Sequence, residues 1–264
     1  GKLVVAGVLL YEEINRIGKF AGRILSQPKK TLVVAGGAKI SDKIEVLKQF
    51  VLTGVKSILI GGKMANAFLL AQQQKELIQP FHTDKIPAKL LSQKVQENEE
   101  LLKEINLAEE IIELAEINKV ALIFPDDYKV VSDYQSTIFE NKVTPDFSKE
   151  LQLDLGEKTI NQFEDLFKDI KNVFWNGPLG AYDHPACSYY AEGSLELAKL
   201  LFQMALIDSK LSVVIGGGDS AAILNKIGVT ELKKMIKAQI EKQFPSTINR
   251  NQISIDFLEN DSYQ

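Results

Sequence analysis

The sequence predicts an α/β fold, a doubly wound parallel sheet with helices on both faces, closed into a single domain. Three observations predict it. Short runs rich in β-branched residues, Thr31–Ala35, Ser57–Ile60, Ala121–Phe124, Asn172–Trp175 and Ser212–Ile215, are apolar without alternation. Strands covered on both faces have that pattern. Most of these runs end in a turn signal: Gly36-Gly37, Gly61-Gly62, Gly177-Pro178 and Gly216-Gly217-Gly218. Helical periodicity then follows the turns, and strand–turn–helix repetition is the signature of a Rossmann-like sheet.

The elements follow in order. Ile14, Ile17, Phe20 and Ile24 recur at helical spacing, so a helix is expected over Tyr11–Leu25. Gln27-Pro28 ends it, because the residue before proline avoids the helical region. Further helices are expected over Ser41–Leu52, over Met64–Gln73 and from about Ser220. The charged stretch Leu90–Asn118 reads as one broken helix or a pair on the outside, and Tyr134–Glu150 as a polar excursion without a fold of its own. From Val229 the sequence reads as a basic amphipathic helix, with Leu232, Met235, Ile236 and Ile240 on one side, followed by a polar tail. The expected divisions are a lead-in helix over 1–30, the α/β domain over 31–228 and a divergent helix and tail over 229–264.

Bulk properties narrow the function classes. The 264 residues are 45% hydrophobic and 25% charged, as in ordinary soluble globular proteins. A net charge of −4 gives no reason to expect duplex nucleic acid as a partner. No apolar run approaches the roughly 20 residues that span a bilayer. No secretory signal is evident at the start, so a cytoplasmic, monomeric protein is expected. Cys187 is the single cysteine, which rules out an internal disulfide, and with two histidines it cannot complete a four-ligand zinc site.

The chemistry is concentrated in the glycine turns. Parallel sheets bind ligands at the carboxyl ends of their strands, and adjacent glycines let a backbone approach a phosphate closely. Lys39 and Lys43, four apart at the start of a helix, place two ammonium groups on one face and form a cradle for phosphoryl charge. No GxxxxGK[ST] loop occurs. Gly216-x-Gly218-x-x-Ala221 formally matches a dinucleotide turn, but Asp219 within it opposes bare pyrophosphate and suits a phosphate-bound magnesium ion. Trp175 is expected to pack against a helix rather than stack on a base, and Cys187 to be a small buried hydrophobe. His82 is expected on the surface and His184 in a loop, although His184 adjoins Asp183.

These motifs carry a family resemblance. GGAKISDKI at Gly36–Ile44, GGKMANAFL at Gly61–Leu69, WNGPLGAYD at Trp175–Asp183 and GGGDSAA at Gly216–Ala222 resemble the phosphoglycerate kinase segments GGAKVSDKI, GGGMANTFL, WNGPxGVFE and GGGDSAA. LDLGEKT at Leu153–Thr159 and AGVLLYEEI at Ala6–Ile14 are similar to LDIGPKT and AGFLMEKEL, in the same order. The resemblance implies the nucleotide-binding, C-terminal half of that two-domain family. It also implies ADP or ATP with Mg2+, and transfer of a phosphoryl group between 1,3-bisphosphoglycerate and ADP. By the same implication Gly36, Gly37 and Ala38 wall the adenine and its sugar, with Gly61 and Gly62 opposite. Lys43 holds the nucleotide phosphates and Lys39 the phosphoryl group in flight. Asn176, Pro178 and Gly180 line the site, Asp183 stands at the family's ribose-binding glutamate, Asp219 reaches magnesium and Ser220 the phosphates.

The sequence departs from the family in four places. The phosphoglycerate-binding N-terminal domain has no counterpart, so negligible turnover is expected without it. The late STGGGAS turn is missing, Ile253–Glu259 reading as though it had been cut out. Lys63 replaces a glycine in the adenine wall, and Asp183 is one methylene short of glutamate. Alternatives are a catalytically degenerate adenine-nucleotide-binding module and a structural relic that has abandoned the site.

Overall fold

The structure is a computed structural model and describes residues 18–75, 98–143, 145, 150–185, 187–217 and 255–257. It opens with a helix over 18–26, α1, and a 3-10 turn at Pro28–Lys30. Next come β1 (Thr31–Ala35), α2 (Ile44–Thr53), β2 (Ser57–Ile60), α3 (Ala65–Lys75), α4 (Glu99–Asn118) and β3 (Ala121–Ile123). An insertion of β4 (Tyr128–Val131), β5 (Glu140–Lys142) and β6 (Leu151–Leu155) is followed by the short helices α5 (Glu157–Asn161) and α6 (Phe163–Leu166). The main sheet resumes with β7 (Asn172–Asn176), α7 (Cys187–Tyr190), α8 (Glu192–Ile207), β8 (Ser212–Gly216) and β9 (Ile255–Phe257).

The main sheet has the order β3-β2-β1-β7-β8-β9, with all neighbours parallel. The chain lays strands outward from β1 in one direction, then returns beside β1 and builds in the other. Its topological switch point therefore lies between β1 and β7, where open α/β sheets leave a crevice. Alternate residues serve opposite faces: Val33 and Ala35 of β1 join one core with Leu47, Phe68 and Ile111, while Leu32 and Val34 join the other with Trp175, Leu197 and Leu201. Coverage of both faces is why the strands show no polar alternation. Trp175 is fully buried, in one cluster with Leu197 and Leu201 of α8 as expected of a residue packed on a helix, and its indole N–H donates to the Gly177 carbonyl at 2.8 Å.

Several boundaries differ from the sequence reading. The described part of the 90–118 stretch is one unbroken 20-residue helix, capped by the Asn98 side chain on the Leu101 amide and ended by Lys119 at φ 53°. It turns Ile105, Ala108, Ile111, Ile112 and Ala115 into the core. α2 starts at Ile44, three residues later than expected. The stretch expected to lack a fold contains β5, and a second, antiparallel sheet of order β5-β4-β6 forms there. β5 reads Glu-Asn-Lys, without the apolar signal that marks a strand. The tail likewise contributes β9, parallel to β8. The helix expected from Val229, and His82, lie outside the described residues.

The second sheet is tied to α8 by buried polar groups. Lys129 of β4 is 3% exposed; it pairs with Glu192, donates to the Tyr189 carbonyl at 3.1 Å and lies over the Phe139 ring at 4.7 Å. Asp154 of β6 accepts from the Leu155 amide at 2.9 Å and from the Gly193 amide at 3.0 Å. Burial pushes the Asp154 carboxyl up to about 6 from 3.8, against the pull of those two amides and of Lys129. A carboxyl raised in the folded state binds its proton more tightly there than in the unfolded chain. Its contribution is therefore present below pH ~4 and is lost as pH rises to about 6, by on the order of 3 kcal/mol. Asp154→Asn is expected to flatten the fall in urea-derived stability between those pH values; an unchanged slope would assign the dependence elsewhere.

Candidate functional site

The turns after β1, β2 and β7 pack against each other at the carboxyl edge of the sheet. Their backbones interlock: the Gly36 amide donates to the Asn176 carbonyl at 2.9 Å, the Gly62 amide to the Leu179 carbonyl at 3.2 Å and the Met64 amide to the Gly37 carbonyl at 3.0 Å. Glycine is required for this proximity. A methyl group on Gly36 would stand 2.0 Å from the Pro178 carbonyl oxygen, and one on Gly62 2.6 Å from the Gly37 backbone. Gly62 also holds φ at 66°, a conformation disfavoured for residues with a Cβ.

These contacts divide the expected glycines into two groups. Gly36 and Gly61 are buried under neighbouring turns, Gly61 against the Leu179 side chain, and are outside the lining of the cavity above them. Gly37, Ala38, Gly62, Pro178, Gly180 and Asp183 do line it. That cavity has a volume of about 490 Å³, within the roughly 300–1,000 Å³ usual for small-molecule sites. Its remaining wall holds residues that were not selected from the sequence: Tyr134, Asn66, Leu151, Gln152, Leu153, Ala181 and Tyr182. Asn66, Leu153, Ala181 and Tyr182 fall inside the quoted motifs. Tyr134 had no signal, because it sits in the segment read as an excursion. Lys63 also belongs to the lining and is exposed.

Lys43 lies at the switch point. A methyl group on Gly37 would come within 3.6 Å of its ammonium nitrogen, and one on Gly177 within 3.0 Å of its Cε. The side chain thus passes between the turns after β1 and β7, beside the cavity. Among the described residues its ammonium has no ion-pair partner. Lys39 is placed differently: its ammonium pairs with Glu100 of α4 at 2.5 Å, both side chains being exposed. The Glu100 hydrogen bond and charge raise the Lys39 ammonium above its ordinary range. In turn Lys39, and more weakly Lys63, hold the Glu100 carboxyl below its own. Asn176 does not line the cavity; a methyl group on Gly217 would stand 3.0 Å from its side-chain oxygen. Asp219 and Ser220 lie outside the described residues.

His184 lies in the loop between β7 and α7, as expected, and is buried there. Its ring meets Tyr134 edge-on at 4.5 Å and Tyr190 at 4.7 Å, and its Nε2 contacts the Tyr134 carbonyl. It therefore braces Tyr134 from behind. Desolvation, then the nearby Asp183 carboxylate, raise the Tyr134 phenol. The side chain of Cys187 is not among those described. Within the described residues no helix is long and apolar enough to cross a membrane, and no cluster of three acidic, histidine or cysteine side chains forms a metal site.

Known proteins resemble this chain in both sequence and fold. The family model for phosphoglycerate kinase matches residues 2–237. The phosphoglycerate kinase of Lactobacillus gasseri is 39% identical over 232 residues, covering 87% of this chain and 49% of that protein. The phosphoglycerate kinase of Clostridium botulinum strain Alaska E43 is 33% identical over 228 residues, covering 85% and 49%. Phosphoglycerate kinase from Coxiella burnetii superposes with a TM-score of 0.60 at 26% identity, covering 86% of this chain and 51% of its own. The enzyme from Pyrococcus horikoshii shares the fold with a TM-score of 0.57 at 24% identity, covering 84% and 49%. The chain spans about half the length of the curated relatives it matches. Its motifs, its sheet and these likenesses agree: the chain belongs to the phosphoglycerate kinase family.

Proposed function

We propose that this chain is the nucleotide-binding half of a phosphoglycerate kinase, corresponding to the family's C-terminal domain, and that it holds Mg-ADP or Mg-ATP. The observation that carries the reading is the seat of Lys43: an ammonium between two glycine turns at the switch point, beside a cavity of nucleoside size. Gly37, Ala38, Gly62, Pro178 and Gly180 form walls for base and sugar, and Asp183 faces the ribose hydroxyls. Tyr134 and Leu153 add apolar wall. Lys43 neutralises phosphate charge, a role that phosphoryl transfer requires of its enzyme more than covalent chemistry. Gly36 and Gly61 serve the site from below by letting the turns meet, and Asn176 serves it through the same turns.

Magnesium bound to the nucleotide offsets phosphate charge, and Asp219 with Ser220 would hold that end of the ligand. Lys39 reaches a transferring phosphoryl group only by leaving Glu100. Exposed ion pairs contribute only about 0–1 kcal/mol, so the exchange is cheap. Phosphoglycerate itself binds to the family's other half, which must be supplied for turnover.

Isothermal titration tests the reading: heat of binding at micromolar Mg-ADP is expected, and silence would leave a structural relic. A second reading, binding without catalysis, draws on the Lys39–Glu100 pair, which occupies the lysine assigned to transfer. ATP formation after adding a family N-terminal domain in trans separates the two; binding with no ATP formed favours the second.

A further inference from the structure

We propose that Glu104 is a positioning residue for the phosphate-facing Lys43: a buried carboxylate of α4 that fixes the backbone between Lys39 and Lys43. The inference rests on the nucleotide reading and adds to it a residue outside the glycine turns and outside the cavity lining.

Between the turn after β1 and the start of α2, residues 39–43 have neither strand nor helix to satisfy their amides. Glu104, at 8% exposure, does so for Ile40 and Ser41. Its Oε2 accepts from the Ile40 amide at 2.5 Å and from the Ser41 amide at 3.3 Å, while its Oε1 accepts from the Ser41 hydroxyl at 2.6 Å. The fix then passes along the chain. The Ile40 carbonyl accepts from the Lys43 amide at 2.8 Å, and the Lys43 carbonyl accepts from the Leu47 amide at 2.9 Å, opening α2. Ile40 is itself fully buried, so the held segment cannot slide. Lys43 is thus set by a rigid path from α4 through Ile40.

α4 suits this task. Ile105, Ala108 and Ile111 bury it in the core, so Glu104 projects from an anchored rod. One turn earlier on the same face, Glu100 takes the end of Lys39. One helix therefore holds the backbone of the lysine segment and one of its two ammonium groups. Hydrogen bonds from neutral donors to a buried carboxylate are short and strong, and losing one partner costs more than at the surface.

The sign of the effect distinguishes positioning from charge. Neutralising a carboxylate near a polyphosphate site would tighten phosphate binding by Coulomb's law alone. A positioning role predicts the reverse, confined to ligands that carry phosphates.

Titration calorimetry on the full chain, with Mg-ADP and with adenosine, reads both. For Glu104→Gln, Mg-ADP affinity is expected to fall by at least about tenfold while adenosine affinity stays within about twofold. Ser41→Ala, which removes one of the three bonds from the other side, is expected to cost about threefold for Mg-ADP and serves if Glu104→Gln does not fold. Glu99→Gln, an equal change of charge on the same helix, should stay within about twofold. Equal or tighter Mg-ADP binding by Glu104→Gln overturns the proposal, as does a parallel loss of adenosine and Mg-ADP. A wild-type chain that binds no Mg-ADP overturns the nucleotide reading and this role with it. Amide exchange at Ile40 and Ser41 still reads the clamp by itself: protection lost in Glu104→Gln supports it, and protection retained refutes it.

Discussion

Lys43→Ala is expected to weaken Mg-ADP binding by about 10- to 100-fold, the effect of removing one charge-assisted contact of roughly 1.5–3 kcal/mol. The ligand-free protein should keep its thermal transition within about 2 °C, because Lys43 has no ion-pair partner among the described residues. The pairing of the two results matters more than either alone. A lysine that only solvates the surface would change neither, and one that holds the fold together would change both. The seat between Gly37 and Gly177 implies a third observable. The Mg-ADP affinity of the wild type should fall with ionic strength more steeply than that of the alanine variant, since the variant has lost the charge that salt screens. Calorimetry at two salt concentrations and a melting curve of each protein decide the matter.

Gly36→Ala is expected to cost about 3 kcal/mol or more, a large share of the roughly 5–15 kcal/mol that keeps most domains folded. The added methyl group would lie 2.0 Å from the Pro178 carbonyl oxygen, 2.6 Å from the Pro178 carbonyl carbon and 2.8 Å from the Gly177 oxygen. All three are backbone atoms of another turn, so no side-chain rotation relieves them. Opening the two turns would also break the bond from the Gly36 amide to the Asn176 carbonyl. The same substitution at Gly22 has the opposite sign. It lies within α1, nothing stands within 4 Å of its added methyl, and alanine there is expected to stabilise by about 0.5–1 kcal/mol. Urea denaturation of the two variants side by side reads both; equal effects would mean that the turns are not packed as described.

The sheet was legible because burial on both faces leaves its mark on every residue of a strand, as in Leu32–Ala35 and Ser57–Ile60. The second sheet was not: β5 is polar throughout, and β6 alternates Leu151, Leu153 and Leu155 with Gln152 and Asp154 over only five residues, a short signal next to a polar stretch. Of the site, the glycine turns were legible as points of close backbone approach. The sequence alone could not say which glycines face the ligand space and which face another turn. Gly36 and Gly37 are neighbours in one motif, yet one is packed under Pro178 and the other lines the cavity. Lys39 and Lys43 were read as a pair from their spacing, and their separation follows from Glu100, 61 residues after Lys39, which claims one of them. Tyr134 and its brace His184 come from segments 50 residues apart, a contact no local pattern encodes. The residues of the last glycine turn beyond Gly217, Asp219 and Ser220 among them, lie outside the described part.

A crystal structure of the chain with Mg-ADP tests the central claim most directly. The account predicts the nucleoside in the cavity between Ala38, Gly62 and Leu153, with the diphosphate against the Lys43 ammonium at the β1–β7 switch point. A diphosphate bound away from Lys43, or a nucleoside outside that cavity, would contradict it.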